Sequence, residues 1–236
     1  MAKLFRVVDF EITAITHYDS LNLKKYCKKI FVVKDYSLNT LEKIFLETDP
    51  YQKKSFLIGS GFAENHKRSK IFKNRKNYGN DFKVNCFVKN KEFFKKLKKN
   101  KILFPKLIKK NSLKQTLIKN LKSFGSQNVK KLENKNYNLK KNEYFQELID
   151  GKRISVQFIS KIRQLRIISV CDQVLKKKTF FIDYLITKRL SKKKQNQIYT
   201  LVKKIVKIFN LKGINNIDII DKKNKLYLIE INSRPG

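Results

Sequence analysis

At 236 residues and 41% hydrophobic composition the chain can build one or two compact domains with real cores, and it has no apolar run of about 18 residues to cross a membrane as a helix. Its formal net charge of +37, from 56 Lys and Arg against 19 Asp and Glu, would by itself suggest nucleic acid or an anionic surface. The basic residues, however, are 48 Lys against 8 Arg, beside 22 Asn and 26 Ile but only 7 Gly and 3 Pro. That is the signature of AT-rich codons, and the lysines spread along the whole chain. Neither a specific nucleic-acid partner nor a membrane is expected, only weak binding at low salt. Cys27, Cys86 and Cys171 show no metal-ligand spacing and read as reduced thiols, and no cleavable leader is evident, so a cytoplasmic location is expected.

Residues 1–80 read as alternating helix and strand. Residues 31–33 and 55–59 are expected to be short buried strands, with Leu38, Leu41, Ile44 and Phe45 at helical spacing between them. Gly59-Ser60-Gly61 then sits where an α/β fold places its turns. Residues 91–99 form a basic helix with Phe93, Phe94 and Leu97 on one face, and an extended segment follows at Pro105. Residues 116–119 and a segment from Val129 are strands flanking 123–128. A polar connector over 134–142 leads to a strand at 144–149, then a hairpin at 154–159 and 165–170. Ile198, Leu201, Val202, Ile205, Val206 and Phe209 mark one face of a helix over 191–210, with Gly213 placed to stop it. No internal repeat is evident.

The chemistry gathers at the end. Residues 214–220 and 225–231 are apolar strands joined by Asp221-Lys222-Lys223-Asn224, good turn chemistry. Glu230 and Asn232 share one strand face, while Ile229 and Ile231 point the other way. Antiparallel pairing can bring Asp218 beside them. An Asp, a Glu and an Asn on facing strands suit Mg²⁺, a hard cation that takes oxygen ligands. Taken alone, such acids are more often a solvated strand face. His17 and His66 stand apart from these motifs, and no Ser-His or Cys-His nucleophile is apparent.

Leu228-Ile229-Glu230-Ile231-Asn232-Ser233-Arg234-Pro235-Gly236 resembles the metal-binding signature of the ATP-grasp superfamily, which includes biotin carboxylase and D-alanine–D-alanine ligase. The similarity extends upstream in order, through Thr116-Leu117-Ile118-Lys119, the segment 123–128 and Tyr144-Phe145-Gln146-Glu147-Leu148-Ile149-Asp150-Gly151, and is nearest to a branch of predicted ATP-dependent carboligases. The resemblance implies an α/β (α+β) ATP-grasp fold, two lobes clasping ATP behind a small, incomplete Rossmann-like domain. It implies a pre-ATP-grasp domain at 1–80, a connecting helix and linker at 81–112, a small lobe at 113–150 and a large lobe at 151–236. Lys119 would contact phosphates, Gly125 and Ser126 would cover them, and Gln146, Glu147 and Ile149 would hold adenine. Asp218, Glu230 and Asn232 would bind Mg²⁺ (or Mn²⁺), and Arg234 would meet the substrate or the γ-phosphoryl group.

The implied activity is a ligase that uses ATP to activate a small-molecule or peptide carboxylate as an acyl phosphate for attack by an amine, a thiol or a similar nucleophile. Three features depart from the family pattern. The phosphate loop keeps only Gly125, Arg153 stands where relatives often carry a ribose-binding Glu, and relatives usually continue beyond Gly236. The opening strand with its glycine turn is also missing, and residues 1–5 read like the helix after it. The chain is expected to be a fragment or a truncated product. A nucleotide-binding module without catalysis and a basic nucleic-acid-binding protein are the alternatives. Oligomeric state is not legible.

Overall fold

A computed structural model describes residues 10–59, 70–109, 115–121, 126, 128–134, 136–161 and 164–235. These fall into two compact units, 10–56 with 70–76 and 57–59 with 77–235.

In the first unit β1 (Thr13–Thr16) and β2 (Lys29–Val32) pair in parallel. The helices α1 (Leu21–Tyr26) and α2 (Leu38–Thr48) begin on Ser20 and Ser37, whose hydroxyls accept from the N–H groups of Leu23 and Thr40. Leu41 and Ile44 form the buried face of α2. Arg75 and Asp49, both buried, close the unit. Arg75 Nε donates to Asp49 Oδ2 at 2.7 Å and its Nη2 to Asp49 O at 2.9 Å. Burial works to raise the Asp49 carboxyl, but Arg75 and the N–H groups of Lys53 and Lys54 outweigh it and hold the carboxyl below its usual range. The strand expected at 55–59 does not form. Phe56 makes one bridge, donating its N–H to Lys76 O at 2.9 Å, and the preceding Lys53, Lys54 and Ser55 are exposed. The hydrophobic run there is too short to recruit a full ladder. The expected Gly59-Ser60-Gly61 turn and the helix at 1–5 lie largely outside the described residues.

The second unit holds two antiparallel sheets. One has the order β3 (Leu107–Ile108), β6 (Glu143–Glu147), β4 (Thr116–Asn120), β5 (Lys130–Lys131). The other has the order β11 (Lys225–Asn232), β10 (Gly213–Lys222), β7 (Lys152–Lys161), β8 (Gln164–Leu175), β9 (Ile182–Thr187). One hydrophobic core lies against the larger sheet. It takes Ile154, Val156 and Phe158 from β7, Ile217 and Ile219 from β10, and Leu228 and Ile231 from β11. Over these pack Ile198, Val202, Ile205 and Phe209 of α5 (Lys192–Phe209) and Phe93, Phe94 and Leu97 of α4 (Glu92–Lys99). A shorter helix, α3 (Phe82–Phe87), precedes α4.

The period-2 pattern of β7 and β10 sends these apolar residues to the helix side and leaves polar ones on the other face. The sequence carries no period-2 signal for β9. It is an edge strand with all six residues exposed, so it has the β-branched composition of a strand without burial to mark it. The helix stop also differs from expectation. Asn210, left-handed at φ 50°, caps α5 through its N–H to Val206 O. Gly213 instead opens β10 at φ +69°, where a Cβ would lie 2.2 Å from Tyr78 O. Replacing Gly213 by Ala therefore combines left-handed strain with a backbone clash. We expect Gly213→Ala to cost at least about 2 kcal/mol, seen in urea unfolding as a lower midpoint with unchanged slope.

Candidate active site

The hairpin β10–β11 positions the two acids. Lys223 and Asn224, with φ of 50° and 63°, form its two-residue turn. The turn sets Ile219 opposite Leu228, and a bulge between Ile219 and Asp218 then brings Asp218 directly opposite Glu230. Ile217, Ile219 and Ile231 are at most 1% exposed on the core side, which forces Asp218 and Glu230 to the opposite face. The neighbouring strand β7 sets Ser155 beside Asp218.

Hydrogen bonds fix the acids. Gln173 Nε2 and Asn216 Nδ2 donate to Asp218 Oδ1 at 2.7 and 3.1 Å, and Ser155 Oγ donates to Asn216 Oδ1 at 2.9 Å. Asn232 Nδ2 donates to Glu230 Oε1 at 2.9 Å, while its Oδ1 accepts from Arg234 Nη2 at 3.4 Å. The two carboxyl groups lie close enough for each to act on the other's ionisation.

Both acids line a cleft whose other wall carries Lys119 of β4, Tyr144 of β6, and Gln146, Glu147 and Ile149. Lys119 and Tyr144 are cross-strand partners. Ser126 also lines the cleft; Gly125 lies outside the described residues. Gln146 is almost fully buried, its Nε2 donating to Pro105 O at 3.1 Å. The N–H of Glu147 donates to Lys106 O at 2.9 Å, so this group is not the one to meet a base. Asn232 and the buried Arg234 stand behind Glu230, outside the cleft lining. The structure thus brings Lys119, Ser126, Gln146, Glu147, Ile149, Asp218 and Glu230 to one cleft.

Sequence reasoning missed several cleft groups. Lys89, one lysine among 48, lines the cleft and acts on both Glu230 and Lys119. Gln173 comes from β8, whose end was not foreseen, and Phe180 belongs to the unassigned stretch before β9. Arg153, noted only as a departure, is also in the cleft wall, its guanidinium 5.6 Å from the centre of the Phe180 ring.

The charges are unevenly balanced. Burial and the facing Glu230 push the Asp218 carboxyl up to about 7. Burial works to raise Glu230 too, but the cations Lys89 and Lys119 and the bonds from Asn232 and Asp218 outweigh it and keep Glu230 ionised. Burial lowers Lys119, opposed by Glu230. Burial and Glu230 hold the Tyr144 phenol well above its usual range, so it stays protonated. Two carboxyls that must share a proton when alone are a donor set suited to a hard divalent cation. Among the described residues no group of three or more His, Cys, Asp or Glu is clustered. A metal here would therefore rest on these two carboxylates and need further oxygens from its ligand. Asn232 presents its amide nitrogen to Glu230, as a hydrogen-bond partner of the acid.

A family model described as an ATP-grasp domain matches residues 88–236. No curated protein matches the sequence. Among solved structures, an ATP-grasp superfamily protein from Archaeoglobus fulgidus is 18% identical with a TM-score of 0.68, over 95% of this chain and 81% of that one. The biotin carboxylase domain of Hydrogenobacter thermophilus 2-oxoglutarate carboxylase, solved with MgADP and bicarbonate, is 16% identical with a TM-score of 0.75, over 100% of this chain and 61% of that one. An L-amino acid ligase from Bacillus licheniformis is 15% identical with a TM-score of 0.70, over 98% of this chain and 62% of that one. The chain thus spans about three-fifths of the latter two. At these identities the likeness is one of fold, and the fold is the α/β ATP-grasp fold. Among the described residues no helix is long and apolar enough to cross a membrane.

The raised Asp218 carboxyl carries a pH signature. Between its unfolded value of 3.8 and its folded value of about 7, the folded protein holds a proton that the unfolded chain has lost. This contribution is fully present below pH 4 and disappears as pH rises through 7. In metal-free buffer, urea unfolding at pH 5 and pH 8 is expected to show a smaller loss of stability for Asp218→Asn than for wild type. Equal losses in the two proteins contradict the shared-proton arrangement.

Proposed function

The chain belongs to the ATP-grasp family, and from that premise we propose that it is an ATP- and Mg²⁺-dependent ligase, acting in the cytoplasm, that joins a carboxylate to an amine or thiol. The observation that carries this reading is the placement of Lys119 and the pair Asp218 and Glu230 on opposite walls of one cleft. The nucleotide is assigned to that cleft, between a small lobe at 113–150 and a large lobe at 151–236. Gln146, Glu147 and Ile149 line the end assigned to the base, and Ser126, with Gly125, the phosphates. Lys119 neutralises phosphate charge, and its burial makes that charge count for more than on a surface. Asp218 and Glu230 would hold Mg²⁺, which when bound offsets negative charge on the transferring phosphoryl group. Asn232 orients Glu230, and Arg234, bonded to Asn232 behind it, is proposed to act on the cleft through that pair.

In the reaction a substrate carboxylate oxygen attacks the γ-phosphorus and the bond to ADP breaks. The nucleophile then attacks the acyl carbon and phosphate leaves. No protein nucleophile is required, and walls that exclude water protect the acyl phosphate.

A second reading, a nucleotide-binding module without turnover, is favoured by Arg153, a cation in the cleft wall that can donate to but not accept from ribose hydroxyls. Calorimetry with ATP and Mg²⁺ beside an assay of ADP release across carboxylate and amine mixtures separates the two. We expect release in wild type and none in Glu230→Gln, which also loses the Mg²⁺-dependent part of thermal stabilisation by ATP. Lys119→Met is expected to weaken ATP binding by roughly tenfold or more with or without metal. Binding without release under every mixture favours the module. Unaltered Mg²⁺–ATP stabilisation and turnover in Glu230→Gln contradict the site assignment.

A further inference from the structure

Behind the cleft, in the second unit, four polar side chains form a buried knot. Asn80 and Asn215 are 3% and 0% exposed, and Asn85 and Ser233 are 5% exposed each. Such groups cost stability unless their bonding is complete. Asn80 Nδ2 donates to Asn215 Oδ1 at 2.6 Å and to Ser233 O at 2.8 Å, and its Oδ1 accepts from Lys212 N at 2.8 Å. Asn215 Nδ2 donates to Gly213 O at 2.9 Å. Ser233 Oγ donates to Asn85 Oδ1 at 2.5 Å. Ser233 is therefore held at its carbonyl and at its hydroxyl, by one residue just ahead of α3 and one within it.

The hairpin β10–β11 does not need this knot to pair, since it has its own ladder and its own core contacts. What the knot fixes is the direction in which the chain leaves β11. Asn232 and Arg234 flank Ser233. Arg234 Nη2 donates to Asn232 Oδ1 and Asn232 Nδ2 donates to Glu230 Oε1, so a line of contacts runs from α3 through Ser233 to the acid.

We propose that Asn80 and Asn85 are positioning residues, which clamp Ser233 and thereby set Asn232 and Arg234 against Glu230. This rests on the ligase reading above, in which Glu230 takes the metal. Lys119 and the base end of the cleft belong to other strands. Loosening the clamp therefore harms metal binding and transfer and spares the grip on the nucleotide.

The test uses the full chain with Ser233→Ala, which removes the hydroxyl, Ser233→Thr, which restores it, and Asn80→Asp, which keeps the shape but sets a carboxylate against two acceptors. Five quantities are measured: Mn²⁺ affinity in the presence of AMP-PNP by electron paramagnetic resonance, AMP-PNP affinity without metal by calorimetry, kcat and KM for ATP, and Tm. Ser233→Ala and Asn80→Asp are expected to lose about 10- to 100-fold in Mn²⁺ affinity and kcat, with metal-free nucleotide affinity within about twofold and KM for ATP rising with the loss of metal affinity, since metal and nucleotide bind together. Ser233→Thr recovers most of the loss. A lower Tm with unchanged Mn²⁺ affinity and kcat overturns the proposal, as does a parallel fall in metal-free nucleotide affinity. If wild type releases no ADP with any acceptor, the ligase reading fails while the Mn²⁺ measurements still decide. Loss in Ser233→Ala with recovery in Ser233→Thr supports the clamp, and equal affinities overturn it.

Discussion

The site depends on two carboxyl groups that the fold sets face to face. Asp218 and Glu230 are direct partners across β10 and β11, and the buried isoleucines beside them leave no other face for them to occupy. Two unit charges repel by on the order of 4 kcal/mol at about 4 Å when the effective dielectric is near 20, more than a single hydrogen bond returns. Without a cation the pair answers by keeping a proton on Asp218, while Lys89 and Lys119 keep Glu230 charged. The arrangement resembles a spring held by a proton: a divalent cation that displaces it gains two carboxylates already aimed at one place. Among the described residues only two such groups meet there, so in the ligase reading nucleotide phosphates would complete the shell, which would couple metal and nucleotide.

The rest of the second unit serves that pair. The helices α4 and α5 cover one face of the five-stranded sheet and free the other for polar groups. The smaller sheet contributes Lys119 and Tyr144 from paired positions on β4 and β6. Gln173 and Asn216 bond Oδ1 of Asp218 and Asn232 bonds Oε1 of Glu230, which restrains both carboxyls.

Much of this was legible from the residues because it rests on short-range pattern. The 3.6-residue spacing of Ile198 to Phe209 and the alternation of Ile217, Asp218 and Ile219 declare both an element and a buried face. The turn brings Asp218 and Glu230 to neighbouring positions, but it is the bulge between Asp218 and Ile219 that sets them directly opposite, and nothing in the local pattern announces that bulge. What escaped was set by distant partners. The edge strand β9 has strand composition but no burial to create alternation. Lys89 and Gln173 reach the cleft only through the packing of α3 and β8. Asn80 and Asn85 are two of 22 asparagines, and nothing local separates a knot residue from a solvated one. Asn210 rather than Gly213 ends α5 because asparagine also tolerates the left-handed region, leaving the glycine to pass close to Tyr78.

The central claim is that Asp218 and Glu230 form one metal-holding pair opposite Lys119. It is tested most directly by crystals grown with Mn²⁺ and AMP-PNP, with data collected at the manganese absorption edge. The account predicts a single strong anomalous peak within ligand distance of both carboxylates, about 2.1–2.3 Å, with the triphosphate between it and Lys119. Nucleotide bound in the cleft with manganese absent from the pair, or manganese bound elsewhere, would contradict it.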